Sequence, residues 1–167
     1  MPCKNRPEML RRGFLALCFV IWANIAFAQS LPKPGPKDLC PVCGMLVSKY
    51  PNWIATIVWK DGHSHFFDGA KDMFKFLQDL PKYAPGHRPE EISGIYVTDF
   101  YNLERIDARK ALYVFGSDVL GPMGHELIPL ASQADANDFM KDHKGKKILP
   151  FDRVTPDIPT LLDSGKP

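Results

Sequence analysis

The chain has 167 residues, 45% of them hydrophobic and 24% charged, and carries a formal net charge of +2. This is ordinary globular composition. The positive balance lies in the first residues: setting aside 1–28 removes Lys4, Arg6, Arg11, Arg12 and Glu8, leaving a formal charge of −1. Nucleic acid then has no electrostatic claim as a partner.

Residues 1–28 read as a cleaved export signal, with a basic start, an apolar stretch over 14–21, and Ala26-Phe27-Ala28 as a small-residue cleavage pattern before Gln29. The apolar run over 13–28 is broken by Asn24 and is shorter than the roughly 20 residues a membrane span needs. Arg11-Arg12-Gly13-Phe14-Leu15 resembles a twin-arginine signal. Leu15-Ala16-Leu17-Cys18 is a poor lipoprotein box, because Leu17 stands where a small residue is expected. Membrane association is thus expected only if the signal is retained or lipidated.

Residues 29–38 include Pro32, Pro34 and Pro36 and read as an extended tether. The cysteine motif at 40–45 follows. Residues 53–59 are rich in β-branched and aromatic side chains, Asp61-Gly62 is a hairpin turn, and 63–67 return as a strand. Apolar residues at 73, 74, 77 and 80 give a helix over 69–80 that Pro81 should stop. Strands are expected over 92–100 and 112–115, then a turn over 121–124 and a short strand over 126–130. Ser132 caps a helix over 132–142 that ends near Gly145. Residues 147–151 form a last strand, and 152–167 read as a loose tail.

Strand, strand, helix, strand thus occurs twice. The expected fold is α+β, with two small homologous ββαβ units forming one domain over 39–151, halves about 39–99 and 100–151.

The chemistry concentrates in Cys40-Pro41-Val42-Cys43-Gly44-Met45. Two thiols and a thioether are soft donors, suited to a thiophilic ion such as Cu(I). Gly44 permits a tight turn that aims the sulfurs of Cys43 and Met45 at one point. Once 1–28 are removed, Cys40 and Cys43 are the only cysteines, and a disulfide closing so short a loop adds little stability. A ligand or redox role is therefore favoured. His63 and His65 share a strand face and could complete a Cys2His2 zinc site, giving a zinc-stabilised interaction domain. The pair could instead serve a thiol–disulfide oxidoreductase, although such motifs open a helix behind a strand and this one precedes a hairpin. Met73 and Met140 fit core positions. Met123, in Gly121-Pro122-Met123-Gly124, follows no packing pattern and reads as a ligand.

The stretches CPVCGMLVSKYP, HFFDGAKDMFKFL, ISGIYVTDF and FGSDVLGPMGHELIPL, spread over roughly 38–151, resemble the NosL family of nitrous oxide reductase accessory proteins. The resemblance implies two ββαβ halves and a periplasmic Cu(I) metallochaperone without catalysis. Its implied partner is nitrous oxide reductase, whose copper-sulfide centre it helps assemble, or that enzyme's assembly machinery. Cys43 and Met45 match the family's Cys-x-Met, and Met123 matches its Gly-x-Met-Gly methionine. Cys40 or His125 would serve as a further or exchanging ligand.

Overall fold

A computed structural model describes residues 31–167; the export signal expected over 1–28, with Cys3 and Cys18, lies outside them. The first half runs β1 (Ala55–Trp59), β2 (Ser64–Phe67), α1 (Ala70–Gln78), α2 (Leu80–Tyr83), β3 (Ile92–Thr98) and β4 (Arg105–Asp107). The second runs β5 (Leu112–Phe115), β6 (Leu120–Gly121), β7 (Gly124–His125), β8 (Ile128–Leu130), α3 (Gln133–Asp142) and β9 (Lys147–Pro150), and α4 (Asp157–Asp163) follows.

The duplicated pattern is visible in the topology. One sheet has the order β2-β1-β3-β4 and the other β8-β5-β9, every pair antiparallel. In each, the unit's first strand is central and a helix links the two that flank it. β6 and β7 form a separate hairpin inserted between β5 and β8, pairing Leu120 with His125 and Gly121 with Gly124. Ile57, Trp59, Phe67, Met73, Phe74, Phe76 and Tyr113 fill the main core. Val114, Ile128, Leu130, Ala136 and Phe139 form a second cluster under α3. The expected cap is made: Ser132 Oγ accepts the Asp135 N–H at 3.1 Å.

Four sequence expectations are corrected. The first sheet gains β4, so the first half extends past 99. Leu103, at φ 57°, reverses the chain, and Asp99 closes the turn by donating its N–H to Glu104 O and accepting the Leu103 and Asn102 N–H groups. Pro81 does not end the first helix; α1 stops at Gln78, and Pro81 lies in the first turn of α2, where no N–H is needed. The stretch 32–38 does not stand clear: Arg105 bonds the Pro32 carbonyl, and Lys33 and Pro34 line a surface groove with Ile54 and Thr98.

The tail is not loose. Ile158 and Leu162, one helical turn apart, are buried on α4 and join the main core with Val154. Pro159 falls within the first turn of α4, where a missing N–H breaks no helical bond.

Candidate metal centre

The cysteine motif is a closed turn. Leu39 and Leu46 bridge its ends, Cys40 N–H donates to Met45 O at 2.8 Å, and Gly44 N–H donates to Cys40 O at 2.9 Å. Gly44 sits at φ 78°, a left-handed conformation that glycine adopts without penalty. Val47, fully buried, anchors the turn to the core. Cys40 is buried, Cys43 and Met45 are half-buried, and both described cysteines are free thiols.

Two acids that the sequence reading did not single out meet the thiols. The Cys43 thiol lies 3.2 Å from Asp68 Oδ1 and the Cys40 thiol 3.4 Å from Asp72 Oδ2. One donor atom from each of the four residues falls within 4.8 Å of every other. Asp68 precedes the Gly69 cap of α1 and Asp72 lies in its first turn. There the positive end of the helix dipole favours carboxylates. Asp68 is 1% exposed and its Oδ2 is buried without a hydrogen-bond partner, as a site shaped for a cation would leave it.

The environment keeps the thiols protonated. Burial pushes Cys43 up to about 12, with Asp72 and Asp68 adding to the rise. Burial raises Cys40 as well, and the Asp72 charge works in the same direction. Each thiol therefore donates to its carboxylate, and a metal bound there would have to displace the proton.

The backbone of the Met123 hairpin, in the other half, is tied to the start of α1. Lys71, only 1% exposed, sends Nζ to Met123 O at 3.2 Å and His125 O at 3.0 Å, fastening the β6–β7 hairpin to the start of α1. Asp163 of α4 completes the set at 3.0 Å from Lys71 Nζ. The buried Glu126 carboxylate accepts the Lys71 N–H at 2.6 Å and the Leu127 N–H at 2.8 Å. Burial pushes Glu126 up to about 8, with the Lys71 charge opposing. The hairpin thus lies beside the helix end that carries Asp72, with Met123 exposed and His125 Nδ1 buried without a partner. His125 is not among the four residues whose donor atoms gather.

The Cys2His2 alternative is not formed. His65 Nδ1 accepts the Trp59 indole N–H at 2.8 Å, and His63 Nδ1 pairs with Asp61 at 2.6 Å. Both histidines belong to the opposite end of β2 from Asp68. At about 3.3 Å per residue, His63 and His65 lie roughly 16 Å and 10 Å along the chain from Asp68.

The family model described as NosL matches residues 33–159. The copper-binding lipoprotein NosL of Stutzerimonas stutzeri is 30% identical over 126 residues, covering 71% of this chain and 62% of its own length. The chain thus spans less than two thirds of that curated relative. The crystal structure of the copper chaperone NosL from Shewanella denitrificans aligns with a TM-score of 0.64 at 26% identity, covering 77% of this chain and 97% of that one.

Proposed function

The chain belongs to the NosL family, and from that premise we propose that it is a periplasmic Cu(I) metallochaperone, not an enzyme. The observation that carries the reading is the gathering of Cys40, Cys43, Asp68 and Asp72 within 4.8 Å at a half-exposed turn. Cys43 and Met45 supply thiolate and thioether from the turn, and Met123 supplies a second thioether from the hairpin that Lys71 holds beside α1. Cu(I) selects sulfur over oxygen. Asp68 and Asp72 then act on the charge balance, drawing a cation in and accepting the thiol hydrogen bonds when the ion leaves. Cys40 and His125 are reserve ligands for exchange. Release proceeds as donors of the recipient replace these one at a time, and the recipient is nitrous oxide reductase or its assembly machinery.

The rival oxidoreductase reading requires a thiol with a lowered pKa. Here burial moves Cys43 in the opposite direction. A second metal reading has its own support, because two thiolates and two carboxylates also suit zinc. The thioethers favour copper over it.

Competition with a chromogenic Cu(I) chelator tests the assignment. Cys43→Ser should abolish tight Cu(I) binding and Cys40→Ser should weaken it less. Equal losses would make the site a dithiolate and remove Cys-x-Met as its basis.

A further inference from the structure

At the other end of β2 from the thiols, three imidazoles crowd around Trp59. The ring centres of His63 and His87 are 5.1 Å apart, and those of His63 and His65 are 5.3 Å apart. Trp59 stacks against His63 and lies 4.3 Å from the centre of His87. The turn between β1 and β2 presents His63, and the loop after α2 presents His87, so two separate segments build the cluster.

The three rings are not equivalent. The Trp59 indole can only donate, so His65 Nδ1 accepts from it and His65 Nε2 carries the hydrogen. His65 is therefore turned away from ligation, and burial pushes it down to about 4, with the His63 and His87 charges acting in the same direction. His63 and His87 are oriented the opposite way. Each presents Nδ1 to a carboxylate: His63 to Asp61 at 2.6 Å and His87 to Glu91 at 3.4 Å. The short His63–Asp61 contact is a hydrogen bond, and a ring that gives its Nδ1 hydrogen to a carboxylate keeps a free Nε2 lone pair, the arrangement in which imidazoles bind metal. Glu91 lies near His87 Nδ1 without a hydrogen bond.

We infer that His63 and His87 form a second, open site for a borderline divalent cation of the Cu(II) or Zn(II) class, separate from the thiol centre. Two imidazoles sharing one ion, each nitrogen about 2.0–2.1 Å from it at a near-tetrahedral angle, have ring centres roughly 5 Å apart. The observed separation of the ring centres is 5.1 Å, with the planes inclined at 53°, which matches that spacing. Asp61 and Glu91 offset the ion's charge, and both are held below the ordinary carboxylate range. The His63 backbone N–H does this first for Asp61, and the Arg88 backbone N–H does it for Glu91. Among the described residues no third His, Cys, Asp or Glu donor converges with these two rings. A cleft of about 300 Å³ beside His87, lined also by Asp61 and Glu91, leaves room for water in the remaining positions. The His63 and His87 side chains, 41% and 31% exposed, are reachable from solvent.

The test is a Zn(II) titration of the full chain followed by long-range proton–nitrogen NMR of the histidine rings, which reads each imidazole separately from any zinc at the thiols. The Nε2 signals of His63 and His87 should move together in one saturable step while those of His65 and His143 stay. His63→Gln should abolish the His87 response, and His87→Gln the His63 response, each lowering affinity at least tenfold with thermal stability unchanged. Asp61→Asn, which removes the orienting carboxylate, should weaken binding about tenfold. Independent responses of all exposed rings, or none at His63 and His87, would overturn the site, and neither outcome bears on copper at the cysteines.

Discussion

Raising the pH from 6 to 8 should tighten Cu(I) capture by this protein about a hundredfold, because a ligating thiolate must first lose its proton. Cys43, held at about 12, is protonated throughout that range, so binding through it alone gives one decade of affinity per pH unit. Cys40 is 1% exposed and its thiol is raised more strongly than that of Cys43. Recruiting it as well would double the slope, to about ten-thousandfold over the same interval. We expect a slope near one, with Cys43 the single thiolate and Met45 and Met123 completing the set. The assay is anaerobic competition with a chromogenic Cu(I) chelator at several pH values, corrected for the chelator's own protonation, with proton release measured in parallel. Cys40→Ser should keep the slope. A flat profile would mean that no thiol proton is displaced and would refute the reasoning, and a slope of two would replace the Cys-x-Met site with a dithiolate.

Met123→Ala should lower Cu(I) affinity at least tenfold while shifting unfolding free energy by no more than about 0.5 kcal/mol, since its side chain is 47% exposed and Lys71 uses only its carbonyl; a large stability loss with copper binding intact would mean that it is core. Leu162→Ala should destabilise the fold by about 2–3 kcal/mol in urea denaturation, because α4 is packed and Leu162 is 2% exposed. Glu126 has a folded-state pKa of about 8 against an ordinary 4.5, so the native state holds the extra proton between these values. Its contribution to stability is complete below about 4.5 and lost as the pH rises through about 8. Denaturation curves across that window should show the decline in the wild type and a flatter profile in Glu126→Gln. Parallel profiles would remove Glu126 as the cause.

The repeated half was legible because its signals are local. Asp61-Gly62 marks one hairpin, and Ser132 marks the start of α3 through a bond made three residues away. β4 was not legible, since Arg105-Ile106-Asp107 has a single apolar residue and becomes a strand only by pairing with β3. α4 was hidden by its prolines, which read as breakers anywhere except the first turn, the place where Pro159 falls. The thiols were visible by spacing. Asp68 and Asp72 were not, because they reach the thiols across 25 and 32 residues of chain. The signal that would have found them is a pair of acids one helical turn apart, on either side of the start of an amphipathic helix.

Lys71 shows why site and fold cannot be separated here. Lysine is a residue almost always exposed, yet this one is among the most buried side chains. Burying an ammonium requires paired partners, and it has two carbonyls from the β6–β7 hairpin and the Asp163 carboxylate from α4. The approach is close enough that a Cβ at Gly69 would lie 2.1 Å from Glu126 Oε2, so a side chain there would push the Glu126 carboxyl off its two N–H donors. The hairpin bearing Met123 is thereby pressed against the helix end bearing Asp72, and α4 holds the joint from behind. An insertion in the second half, a glycine in the first and a helix beyond both converge on one cation. Copper affinity should therefore respond to changes at Gly69 and Asp163, neither of which offers copper a soft donor.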